Sequence, residues 1–206
     1  MKVKKLGLCL LLASISLYPA GCGETERQKI EVSEPVIIGT ALWDHYALFL
    51  CLEEGQYESV CEIGPDFGAN WVGQYELRLL DVETDTILSS YRLTEWEEPL
   101  RFHKNIDLRL TDLNSDGCRE VLIGQYAASN YNLYRMYYVD NEMQIGYYSD
   151  IGVMEISSQD MSPQLEVSDG KITYSLYDNA QGSMVKKEMD LKVLDIIGEE
   201  TDFDNG

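Results

Sequence analysis

Leu133-Tyr-Arg-Met-Tyr-Tyr-Val-Asp-Asn-Glu-Met-Gln-Ile-Gly-Tyr-Tyr148 decides the fold. Two runs rich in aromatic and apolar residues flank Asp140-Asn-Glu142. Asp and Asn tolerate left-handed backbone and bond their own amides, so this polar stretch predicts the turn of a β-hairpin. On a strand of period two, Tyr134, Met136 and Tyr138 share one side, and Leu133, Tyr137 and Val139 share the other. Both sides are apolar, which predicts packing on both faces in a two-layer core.

The pattern repeats outward. Leu77–Asp81 and Thr86–Tyr91 flank a polar stretch at 82–85, and Lys171–Tyr177 and Met184–Asp190 flank another at 178–183. Further strands are predicted at Pro35–Leu42, Tyr46–Leu52, Tyr57–Ile63, Ile106–Thr111 and Glu120–Ala127, with Glu53-Glu-Gly-Gln56 as the turn joining the second and third of these. Trp43–Glu54 admits a buried helix as well as a strand, and the glycine-rich Gly64–Gly73 predicts an irregular loop. No long stretch has a helical period. The expected fold class is all-β: an antiparallel sandwich or a meander of short hairpins. A propeller needs about 40–45 residues per blade, too many for closure here.

Composition narrows the function. Among 206 residues, 16 Lys+Arg face 36 Asp+Glu, a net charge of −20. Such acidity excludes nucleic acid as a partner, because phosphate binding needs clustered cations. It also opposes peripheral attachment to anionic lipid.

The N-terminus is an address. Met1-Lys-Val-Lys-Lys5 precedes an apolar run of 12 residues, Leu6–Leu17, which is too short to span a bilayer and fits a secretory signal. Tyr18-Pro-Ala-Gly-Cys22 resembles a bacterial lipobox. The resemblance implies cleavage before Cys22, acylation of its sulfur, and an extracytoplasmic protein anchored to the membrane of a bacterial cell. Two acyl chains suffice for stable anchoring. A plain signal peptide cleaved elsewhere is the alternative. The predicted organisation is therefore signal 1–21, polar tether 22–34, all-β domain 35–197 and acidic tail 198–206. The processed chain would keep 13 basic residues against 36 acidic ones.

One segment carries metal chemistry. Asp112-Leu-Asn-Ser-Asp-Gly-Cys-Arg-Glu120 places side-chain oxygens at loop positions 1, 3, 5 and 9 and a glycine at position 6. Alternate residues of a tight loop converge, and Ca2+ prefers several oxygens in a flexible shell. Asp112, Asn114, Asp116 and Glu120 are the candidate side-chain ligands, and Cys118 would offer its backbone oxygen. A full EF-hand has Glu at position 12; here that position is Ile123, within an apolar strand-like run. Leu110–Gly124 resembles one repeat of the FG-GAP/VCBS type. That resemblance implies a calcium loop between two strands, with the ion clamping strand to strand through the same five residues.

Other features are less specific. Of 14 tyrosines, seven fall in Tyr126–Tyr148, and an exposed platform of Tyr126, Tyr131 and Tyr134 would suit a glycan. Cys51, Cys61 and Cys118 are an odd set once Cys9 and Cys22 are set aside. A Cys51–Cys61 bridge needs a bulged or shifted turn, and buried free thiols are the simpler reading. His45 and His103 form no recognisable dyad or metal spacing, while Glu95-Trp-Glu-Glu98 supplies neighbouring carboxylates. The sequence thus points to an exported, lipid-anchored surface module with a non-enzymatic binding or structural task, stabilised by Ca2+, whose partner is a glycan or a surface protein. The alternatives are a carbohydrate-binding module using the tyrosine-rich face and a carboxylate-dependent glycoside hydrolase.

Overall fold

The computed structural model describes residues 29–60, 68–103 and 106–190. Within them every regular element is a β-strand, and pairing is antiparallel with one exception. In chain order the strands are β1 (Lys29–Glu31), β2 (Val36–Trp43), β3 (Tyr46–Val60), β4 (Gly68–Asp81), β5 (Thr86–Arg92), β6 (Leu100–Phe102), β7 (Ile106–Asp107), β8 (Arg119–Ala128), β9 (Tyr131–Val139), β10 (Ile145–Tyr147), β11 (Met154–Ile156), β12 (Glu166–Ser168), β13 (Lys171–Asp178) and β14 (Ser183–Asp190). The expected all-β, antiparallel fold is what the chain adopts.

Three sheets result. The first runs β5-β4-β3-β2-β7, with β1 added beside β3 and β6 beside β4. Its β2–β7 pair is the parallel exception. The second centres on β9, which pairs β8 on one edge and both β10 and β11 on the other. The third is the meander β12-β13-β14.

The quoted hairpin forms as β9 and β10, and β9 also pairs with β8, so that side chains along β8 and β9 alternate between two faces. Val121, Ile123, Tyr137 and Val139 join a core cluster with Leu48, Leu50, Tyr75, Leu77 and Phe102 of the first sheet. The other face, with Leu122, Tyr134 and Met136, joins Leu113, Met154, Leu165 and Ile172 in a second cluster that reaches the third sheet. Sheet two is therefore buried on both sides. Each large side chain so buried contributes about 1.5–3 kcal/mol.

The turn expected at Glu53–Gln56 is not a turn. β3 passes straight through it for 15 residues and pairs with β4 along its length. The extra residue is absorbed by a bulge between Leu52 and Glu54. Two glycines permit this: Gly55 faces Gly73, and a Cβ on Gly55 would lie 2.1 Å from the Val72 carbonyl oxygen. Arg78 Nη2 holds Glu53 at 2.7 Å. The ambiguous run Trp43–Glu54 is accordingly strand, and the loop expected at Gly64–Gly73 is strand from Gly68 onward. Lys29–Glu31, within the expected tether, instead lies along β3. The strand expected at Ile106–Thr111 shortens to two residues plus an isolated bridge at Thr111.

Cys51 is a buried free thiol. Eight residues of one strand lie between it and Val60, a span of roughly 30 Å. Cys61 itself is outside the described residues.

Glu58 on β3 is held from two directions, by Lys29 Nζ of β1 and Arg101 Nη1 of β6, each at 3.0 Å. Burial alone would raise its carboxyl, but the hydrogen bonds from Lys29 and Arg101 outweigh that and hold it below the usual carboxylate range. The stability this carboxylate adds is present above its ordinary pKa and is lost as pH falls through the depressed folded value. Arg101→Gln should therefore flatten the acid limb of the stability curve, measured by urea unfolding between about pH 5 and pH 3. Gly55→Ala should cost about 2 kcal/mol or more, because backbone must move to admit the methyl. Leu42→Ala, at a side chain 74% exposed, should stay within about 0.5 kcal/mol of wild type.

Candidate metal centre

The Asp112–Glu120 segment is a loop closed at its base by a single bridge. Thr111 and Glu120 exchange backbone bonds of 3.0 and 2.9 Å. Beyond Glu120 the chain continues as β8, so the exit is strand and not helix. The loop turns through left-handed backbone at Ser115 (φ 63°) and Gly117 (φ 92°). At Gly117 any side chain would collide with Asn141, whose Oδ1 lies 2.4 Å from the Cβ position.

Its oxygens face their own amides. Asp112 Oδ2 accepts from Gly117 N at 3.1 Å, and Asn114 Oδ1 accepts from Asp116 N at 3.2 Å. Asp116 Oδ1 accepts from Cys118 N at 2.7 Å, while its Oδ2 accepts from Asn114 Nδ2 at 2.7 Å. One atom stands apart. Asp112 Oδ1 is buried and has no hydrogen-bond partner. A buried acceptor left unpaired costs about 1–3 kcal/mol, and a cation is one way to satisfy it.

Glu120 is placed differently from the other candidates. It is 3% exposed, with Oε2 accepting from Leu113 N at 2.9 Å and Oε1 from the Tyr148 hydroxyl at 3.2 Å. Both oxygens are thus committed to the interior. Burial raises its pKa to about 7, against the pull of those two donors, and the charges of Asp116 and Asp112 add to the rise. Cys118 is buried, and burial with the nearby Asp116 pushes its thiol up to about 12, so it is an inert side chain here. Among the described residues, no three His, Cys, Asp or Glu side chains form a ready cage. The oxygens of Asp112, Asn114 and Asp116 fit a hard cation only if the Asn114–Asp116 contact opens and those side chains turn toward Asp112 Oδ1.

Asn141 is a neighbour that spacing gives no hint of. It sits in the β9–β10 turn, and its Nδ2 donates to the Asp116 carbonyl at 3.1 Å. The tertiary fold brings it to the loop from 25 positions away. Its side-chain oxygen adds a further ligand oxygen beside the loop.

The tyrosine platform is not assembled. Tyr134 is fully buried, with its hydroxyl 2.7 Å from the Asp160 carbonyl. Tyr131 is half-buried, and Tyr126 is 43% exposed. The Glu95 carboxylate is engaged by the hydroxyls of Tyr91 and Tyr137. Cys22 is outside the described residues.

No protein-family model matches the chain, and no curated protein matches it.

Glu120 ties loop, strand and Tyr148 together, which gives a direct test. Glu120→Ala should destabilise the protein by about 2–3 kcal/mol, because Leu113 N and the Tyr148 hydroxyl lose their acceptor inside the core. Glu120→Gln keeps an acceptor and should cost less, and Tyr148→Phe should cost about 1 kcal/mol. Urea unfolding of the three variants checks this order.

Proposed function

We propose that this chain is an exported module held on the outer side of a bacterial membrane through an acylated Cys22, with a non-enzymatic binding task and a loop at 112–120 stiffened by Ca2+. The observation that carries the calcium reading is Asp112 Oδ1, a buried carboxylate oxygen with no partner at the first position of an oxygen-rich loop. Asp112, Asn114 and Asp116 would hold the ion, with oxygens from the Cys118 backbone and Asn141 completing the shell. Glu120 would act from behind, fixing the loop base through Leu113 N. Oxygen-only donors favour Ca2+ over zinc. The ion supplies charge compensation and nothing else. The loop acids repel one another, and the ion removes that repulsion.

Affinity should be modest, since the Asn114–Asp116 contact must open first. Extracellular sites of this kind bind at about 10⁻⁴–10⁻³ M. At 10 mM calcium, mass action then adds about 1.4–2.7 kcal/mol of stability, or roughly 3–10 °C in Tm. Asp112→Ala with Asp116→Ala should abolish the rise, and a wild type that melts identically in EDTA and in calcium would refute the site. Anchoring is tested separately. Cys22→Ser should release the protein from membranes on fractionation, and unchanged retention would count against acylation there.

A further inference from the structure

The first and second sheets do not close on each other completely. Between the β5–β6 connection, β6 and the far half of the β8–β9 hairpin lies a cleft of about 580 Å³. That is the size of a small-molecule site. Its wall includes Trp96, Arg101, His103, Gln125, Tyr126 and Arg135.

Arg135 is the unusual member. Of the two arginines on the wall, Arg101 reaches a carboxylate, that of Glu58. Arg135 pairs with no carboxylate among the described residues, in a chain where acids outnumber bases 36 to 16. Its Nε is buried with no partner. Nη1 donates to the Tyr147 hydroxyl. The guanidinium is held in place, with its carbon 5.1 Å from the Trp96 ring centroid and 5.6 Å from that of Tyr147. Trp96 is itself fixed, because its Nε1 donates to the Tyr137 hydroxyl at 3.1 Å. A guanidinium oriented by two rings and a hydroxyl, with its Nε unpaired and no ion-pair partner among the described residues, is suited to receive a carboxylate on the wall of a cleft.

The rest of the wall narrows the ligand. Tyr126, 43% exposed, is an aromatic residue of the cleft lining. Glu97 and Glu98 lie on the same cleft and can accept hydroxyl hydrogens. A purely apolar ligand would offer Arg135 no carboxylate, and a small inorganic anion would leave Tyr126 and most of the volume unused. A pyranose bearing a carboxylate has an apolar ring face, hydroxyls and an anion on one rigid body. Cleft walls are fixed across the sheets: Arg101 N donates to Gln125 Oε1 at 2.8 Å, and Gln125 Nε2 donates back to the Arg101 carbonyl at 3.2 Å.

We propose that this cleft binds an acidic saccharide, its carboxylate on Arg135 and its ring against Tyr126. The site shares no residue with the calcium loop, so the two readings stand or fall separately. The test is isothermal titration of the full chain with D-glucuronate and N-acetylneuraminate, against D-glucose and acetate, all in EDTA. Saturable binding of at least one acid sugar, roughly tenfold tighter than glucose or acetate, is expected. Arg135→Gln should erase the preference for acid over neutral sugar, and Tyr126→Ala should weaken acid sugar severalfold. Tyr126 is at the surface, so its variant remains informative if Arg135→Gln does not fold. No saturable binding of either acid sugar, equal binding of glucose, or affinity unchanged in Tyr126→Ala would overturn the proposal.

Discussion

The β8–β9 hairpin must bury both of its faces, and the remaining architecture answers that requirement. A strand pair that is apolar on one side needs one partner sheet; this one needs two. The first sheet covers Val121, Ile123, Tyr137 and Val139, and the third covers Leu122, Tyr134 and Met136 through shared neighbours. Period-two alternation then fixes register tightly, because a slip by one residue would exchange the two buried sets. Tyr134 and Tyr137 show how strict this is. Each is fully buried, on opposite faces, and each finds a polar partner for its hydroxyl, in the Asp160 carbonyl and in Glu95.

That requirement also explains what was legible in the sequence. The alternation within Leu133–Val139 and the polar turn after it are local signals, and they led correctly to strands with two packed faces. Glu53–Gln56 misled because its composition is that of a turn. What overrides composition there is tertiary pairing: β1 and β2 occupy successive halves of one edge of β3, while β4 runs along the other. Gly55 is present for close approach to Gly73 and not for a reversal. A glycine's purpose depends on what faces it, and facing residues are remote in sequence. The third sheet's role as the second cover was likewise invisible, since nothing local distinguishes β13 from a free hairpin.

The candidate sites divide along the same line. The metal loop is contiguous, so spacing alone brought out Asp112, Asn114 and Asp116. Spacing could not show that Glu120 would turn inward, because that depends on Tyr148 lying 28 positions away. Nor could it single out Asn141, which reaches the loop only through the β9–β10 turn. The cleft was wholly illegible. Arg135 looks like an ordinary polar residue in a strand until Trp96 and Tyr147 are seen around it, with no ion-pair partner among the described residues.

Both sites lie along one strand, which invites the thought that they communicate. Glu120 at the loop and Gln125 at the cleft are five residues apart on β8, roughly 16 Å. Coupling, however, requires an element with two arrangements whose balance both sites bias. β8 offers none over this stretch: from Arg119 to Tyr126 it pairs residue for residue with β9, and the bulge comes only after Tyr126. Leu122 and Ile123 are buried on opposite sides of it, so any shift in register would move apolar groups out of both cores. The strand therefore behaves as a rigid spacer. Calcium at the loop would raise the stability of the whole domain without altering the shape of the cleft. A ligand in the cleft would in turn leave the intrinsic metal affinity of the folded domain unchanged.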